Sequence, residues 1–202
     1  MCLLLSSNTG LFGEIINKTF TLFDTEIQKG NVDIAVVGKL GATMLQQTHP
    51  GISLTFFEYP DNGTDATELG KITSFLVQYE KVFVFHGQFE TVVSQLPVIA
   101  NLYGIEETIG QTSKKEVKYL FEPSLDKILQ FFEAEIFASI FEQTVHESQL
   151  SKNASRMLLL DNASQNIKDS LKKTEMRLRV LKHREVNTKQ LNALTGISLW
   201  NR

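Results

Sequence analysis

From Pro123 to Gly196 the chain contains neither proline nor glycine, an unbroken run of 72 residues. These are the two residues a helix interior tolerates least, so the run predicts one unusually long helix. Within it Leu150, Ala154, Met157, Leu160, Ile167, Leu171, Leu178 and Leu181 recur at intervals of three, four or seven. That spacing is the a/d stripe of a coiled coil, interrupted by the polar Ser164 and Thr174. A helix over the 45 residues 151–195 would extend roughly 68 Å. A domain of this size cannot contain it, so the helix is expected to project from the body. Each Leu or Ile left exposed on it forgoes about 1.5–3 kcal/mol of burial. No other stretch of the sequence predicts a helix long enough to cover the stripe, so the cover must come from another copy, another protein or another segment.

The first half has a different pattern. Residues 2–6 are a short apolar run ending in the small-residue turn Ser7-Asn8-Thr9-Gly10, and Ile15, Ile16, Phe20 and Phe23 follow at helical spacing before Gly30. Residues 32–37 form a continuous apolar run, as in a strand buried on both faces. Residues 39–47 predict a short helix, 52–59 a third strand, 67–79 a helix and 81–86 a fourth strand. The alternation favours an α/β fold with a mostly parallel sheet covered by helices. The expected division is an α/β domain over 1–122 and a long helical arm over 123–202.

The net charge of −3 conceals an asymmetry. Residues 152–202 hold eleven Lys/Arg against four Asp/Glu, whereas residues 1–151 hold nine against nineteen. A basic helix on an acidic body suggests an acidic partner for the helix. Nucleic acid is disfavoured, because the basic segment carries a coiled-coil stripe and no interleaved aromatics. No apolar stretch approaches the ~18 residues of a membrane span, which argues against direct insertion. One cysteine excludes a disulfide framework, and the four histidines have no metal-ligand spacing. Gly10-Leu11-Phe12-Gly13 follows a strand and opens a helix, but it lacks the Gly-Lys-Ser/Thr ending of a phosphate-binding loop. Its glycines are expected to serve close strand-to-helix packing. No catalytic residue, cofactor or metal is expected.

Four segments together carry a family resemblance. Ala154, Arg156, Met157, Ala163 and Asn166 match the "ARMxAMxxAxxNA" segment of the γ subunit of F-type ATP synthases. Gly10-Leu11-Phe12-Gly13 is similar to that family's "GLCGG" turn, with Phe12 in place of cysteine. Phe89 with Ser94, Gln95 and Pro97 resembles "F…SQxP", and Tyr119 to Pro123 resembles "Y.YEP". The resemblance implies a Rossmann-like domain with a long coiled-coil helix that serves as a central-stalk rotor. Such a subunit binds no nucleotide and couples ion-driven rotation mechanically to ATP synthesis or hydrolysis. The implied partners are the α and β subunits, the ε subunit and the ring of c subunits. The implied setting is a peripheral complex on the cytoplasmic face of the membrane, or its organellar equivalent. Arg177, Arg179, Lys182, His183 and Arg184 are the candidates for contact with the α/β hexamer. Ile136, Phe137, Ala138 and Phe141 are the candidates for the foot on the c ring.

The chain also departs from that family. The family's long N-terminal helix has no counterpart here, which would account for the uncovered stripe. A chain read from a late start is the favoured expectation, and a divergent γ-like protein of a specialised rotary ATPase is the other. The family's "YNxxRQxxIT" segment is altered over residues 179–188, and the alignment forward from Asn166 disagrees by one residue with that back from Thr188. Ala138 stands where a carboxylate often sits. Two other functions remain open on the residues alone, a self-associating coiled-coil scaffold and an independent Rossmann-like enzyme.

Overall fold

The computed structural model describes residues 1–30, 32–103 and 125–200, without the side chains of 125–130, 133 and 197–200. The element order is β1 (Cys2–Leu5), α1 (Ile15–Ile27), β2 (Ile34–Val37), α2 (Lys39–Thr48), β3 (Thr55–Phe57), α3 (Ala66–Leu76), β4 (Phe83–Phe89), β5 (Gln95–Asn101) and α4 (Leu125–Trp200). The five strands lie in the order β3-β2-β1-β4-β5. The first four are parallel to one another and β5 runs antiparallel to β4. The α/β pattern expected from the sequence is therefore present, with one strand more.

The strands β1 and β2 are buried along their whole length, because helices cover both faces of the sheet. Alternate residues serve the two faces. Leu3, Leu5, Ala35, Val37 and Val84 face one way, together with Ile72 and Leu76 of α3 and Phe137, Phe141 and Val145 of α4. Cys2, Leu4, Ile34, Val36 and Phe85 face the other, beneath Phe20, Phe23 and Ile27 of α1 and Leu45 of α2. The Phe23 and Phe85 rings meet edge to face at 5.1 Å, a favoured aromatic geometry. The helix α3 begins at a local signal: the Asp65 carboxylate accepts from the amides of Thr67 and Glu68, satisfying donors that have no partner within the helix.

The additional strand, β5, carries Pro97 opposite Gly87. Proline has no amide hydrogen, so it fits a sheet only at an edge, and β5 is the edge strand. A proline inside a short, partly exposed run is a weak strand signal, which is why this element is not evident from the sequence.

The chain divides into two compact units, Met1–Leu158 and Leu159–Arg202. The division falls inside α4, not at the change of composition near 122/123, which lies outside the described residues. The reason is that Phe137, Phe141, Val145 and Ala154 of α4 are buried with the α/β core. The Tyr119 to Pro123 segment likewise lies outside the described residues.

Replacing Phe141, which is fully buried, with Ala should destabilise the chain by about 3–5 kcal/mol. Ile136→Ala, five residues earlier on the same helix and exposed, should change stability by only about 0.5 kcal/mol. Denaturant unfolding of the two variants checks the assignment of faces on α4.

Candidate functional site

The long helix is the feature that every candidate residue shares, and its first part is held on the body by close backbone approach. A Cβ on Gly13 would lie 2.5 Å from Ser155 Oγ, and Gly13 has φ of +67°. A Cβ on Gly87 would lie 2.6 Å from Ser151 Oγ and 2.7 Å from Ile15. Both glycines therefore admit α4 and its small residues, Ser151 and Ser155. This corrects the expectation for the Gly10-Leu11-Phe12-Gly13 turn: Gly13 makes room for α4 and not for α1, and Gly10 has open space around it. Between the two glycines, Phe12 is buried, and the Arg156 guanidinium stands 5.7 Å from its ring centroid, within cation–π range.

Polar groups complete the seat. Gln149 Nε2 donates to Gly63 O at 2.9 Å, and Lys152 Nζ donates to Ser6 O at 2.9 Å. Burial pushes the Lys152 ammonium down to about 8, opposed by the nearby Asp61 carboxylate. His86 in β4 is buried too, and burial lowers its pKa from the ordinary value. Sequence reasoning did not single out Lys152 or Gln149. The available signal was the small-residue spacing of Ser148, Ser151 and Ser155, which marks a face that packs closely.

The predicted foot residues separate. Phe137 and Phe141 are in the core, where Phe137 stacks on Tyr103 at 5.0 Å. They cannot offer a contact surface to a partner while the body is folded. Ile136 is exposed and Ala138 half-buried. The exposed apolar side chains beside Ile136 are Phe131 and Phe132.

The predicted stripe separates in the same way. Ala154 is buried, whereas Leu150 and Met157 are exposed. In the second unit, Leu160, Ile167, Leu171, Leu178 and Leu181 are each more than half exposed. Every described side chain from Ser164 to Gly196 is exposed. At 3.6 residues per turn, Met176, Val180, Leu191 and Leu194 form a second apolar line on nearly the opposite side, and they too are exposed. That second line was missed, because a heptad reading follows only one seam.

The basic candidates do not share one face. Lys173, Arg177 and Arg184 border a shallow groove with Met176, Val180 and Leu181. Lys182 falls on the other side by helical phase, close to the Leu171 and Leu178 seam, with Arg179 and His183 between the two apolar lines. The helix therefore presents two apolar lines, each flanked by its own cations.

An α/β body carrying one long helix with apolar lines left in water is a fold shared with chains of mitochondrial ATP synthase assemblies. A chain of the Euglena gracilis mitochondrial ATP synthase, in its OSCP/F1/c-ring assembly at rotational state 3, matches with a TM-score of 0.68 at 15% identity, over 98% of this chain and 71% of that one. A chain of the rotor of the same enzyme in rotational state 1 matches with a TM-score of 0.59 at 16% identity, over 83% and 67% of the two chains. The ATP synthase family profile matches residues 1–189, and the chain belongs to that family, among its γ chains. The ATP synthase gamma chain of Pelagibacter ubique is 28% identical over 179 residues, covering 82% of this chain and 61% of that relative. That of a Roseiflexus species is 24% identical over 210 residues, covering 96% of this chain and 70% of that relative. The match thus spans less than two thirds of the Pelagibacter chain. Among the described residues, no helix is long and apolar enough to cross a membrane.

The depressed Lys152 pKa sets a pH dependence of definite sign. The unfolded lysine keeps its proton to near 10.5 while the folded one releases it near 8, so within that window the unfolded state binds more protons. Stability should therefore rise with pH from about 8 to about 10, by up to about 3 kcal/mol from this group. Denaturant titrations across that range should show the rise in the parent chain relative to Lys152→Met, in which this contribution is absent.

Proposed function

We propose that the chain works as a γ-type central-stalk rotor subunit of an F-type ATP synthase, without a catalytic site of its own. The observation that carries this reading is the exposed unit Leu159–Arg202, whose helix has apolar lines on two sides and nine Lys/Arg against four Asp/Glu. A helix of that kind is complete only when another helix covers one line and a surrounding surface bears on the other. The seam through Leu160, Ile167, Leu171 and Leu178 is suited to a coiled-coil partner helix. The line through Met176, Val180, Leu191 and Leu194 is suited to the inner surface of an α/β hexamer, with Lys173, Arg177 and Arg184 turned toward acidic groups there.

In this reading the body over 1–122 and the start of α4 form the end that meets the c ring and ε, through Ile136 and the exposed Phe131 and Phe132. The complex is peripheral to a membrane, on its cytoplasmic face or the organellar equivalent. Its rotation transmits the ion gradient to the catalytic sites of the hexamer. No step of that work requires a nucleotide, metal or cofactor on this chain.

Binding to an isolated α/β hexamer, in the presence of a complementary long helix, tests the assignment. Retention on the hexamer is the expected result, and failure to associate even with that helix supplied would count decisively against a rotor role. A self-associating scaffold would use the same seam for a second copy. Sedimentation of the chain alone should then show a concentration-dependent dimer, and a monomer with the helix formed removes that reading.

The two faces make separable predictions. Exposed charges contribute only ~0–1 kcal/mol each to stability, so Arg177→Glu combined with Arg184→Glu should leave assembly nearly intact and lower the ATP-driven ion pumping per ATP hydrolysed. Lys182→Glu should act chiefly on pairing with the second helix. Leu178→Asp should weaken that pairing by about 3 kcal/mol, through lost burial and a buried charge. A Leu178→Asp complex that assembled at parental affinity would contradict the seam.

A further inference from the structure

We propose that the turn after β1 is a binding site for a small oxyanion, which the chain fills with its own Asp61 carboxylate. In a doubly wound sheet, ligands lie outside the carboxyl ends of the strands, where the connections diverge to either side. Here β2 and β3 lie on one side of β1 and β4 on the other, so that crevice opens between β1 and β4. The first part of α4 occupies it. A Cβ on Gly87 would lie 2.6 Å from Ser151 Oγ, and Lys152 Nζ donates to the Ser6 carbonyl at 2.9 Å. Beside the helix, the turn after β1 still presents donors suited to an anion.

The amides of Asn8 and Thr9 donate to the two oxygens of Asp61 at 2.8 and 3.1 Å, and Thr9 Oγ1 donates to the second of them at 3.1 Å. Two successive amides and a hydroxyl converging on one carboxylate make a concave cradle for negative charge. The turn is braced in that shape, since Asn8 Nδ2 donates to Tyr59 O at 2.8 Å and Asn8 Oδ1 accepts from Lys39 N at 3.1 Å. A positive charge stands behind the cradle. Lys152 is buried and makes no ion pair among the described residues, and the carboxylate acting on its ammonium is that of Asp61. Asp61 itself arrives from the segment after β3, 53 residues from Asn8 in the sequence. A carboxylate delivered by the fold has a high effective concentration and so keeps dilute free anions out. The same contact ties the turns after β1 and β3 together across the end of β2. Removing the carboxylate alone leaves the donors in place and admits an anion with equivalent oxygens.

Thermal unfolding of the full Asp61→Ala chain tests this, in sodium formate and sodium phosphate against sodium chloride at matched ionic strength. In chloride its Tm should fall by roughly 4–8 °C, through the lost charge-assisted hydrogen bonds. Formate, the carboxylate that the substitution removes, should restore the Tm saturably, whereas the parent should show no such difference between salts. Restoration by either anion supports the site, and the stronger of the two gives the shape it prefers. Asp61→Asn keeps the volume and fills the cradle with a neutral amide, so its Tm should not respond to formate. Adding Thr9→Val to Asp61→Ala removes one donor and should raise the half-saturating formate concentration about fivefold. If Asp61→Ala is unfolded in chloride, formate should recover its helical signal. The amide resonances of Asn8 and Thr9 give the location, and in Asp61→Ala they should move toward their parental positions as formate is added. Equal salt responses in the parent, Asp61→Ala and Asp61→Asn would overturn the proposal, as would formate-induced shifts that miss these two amides.

Discussion

The structure depends on the seating of the first part of α4 against the α/β body. Phe137, Phe141 and Val145 enter the core on the face shared with α3. Gly13 and Gly87 let the serines of the helix approach the turn after β1 and the strand β4. Without that seat the sheet would have one face partly open, and the remainder of the helix would have no fixed origin. A shaft transmits torque only if its base is clamped, so the packing of this segment links the fold to the proposed work.

The clamp is partly polar, at an energetic penalty. Lys152 is buried with a carbonyl as its partner and a carboxylate only in the neighbourhood. Desolvation of such a charge opposes folding, whereas the apolar packing of Phe137 and Phe141 favours it. The polar contacts specify where along the helix the body sits. Gln149 on Gly63 and Lys152 on Ser6 can be made in one register only, which apolar contacts alone would define less sharply.

Much of the architecture was legible in the residues. The apolar runs around β1 and β2 read as doubly buried strands because parallel strands under two helix layers need apolar residues at every position. The long helix was legible because nothing within residues 124–195 could stop it. The β5 edge strand was not, since Pro97 argues against a strand unless the edge position is already known. The second apolar line at Met176, Val180, Leu191 and Leu194 was also hidden, because a search for one heptad seam passes over residues on the opposite side.

The sequence by itself determined the order of the first four strands and the helices between them, the exceptional helix, the basic character of its end and the family to which the chain belongs. Those properties are local or compositional, carried by spacing and by short motifs. Only the tertiary structure decided which apolar residues of the helix are core and which are surface. Phe137 and Phe141 pack inward while Phe131, Phe132 and Ile136 stay in water, although all five look alike in the sequence. It likewise decided that the Lys152 ammonium meets the Ser6 carbonyl. The reason is physical: burial and polar convergence arise from segments distant in the chain, brought together by the sheet and the seated helix, and no local pattern encodes them.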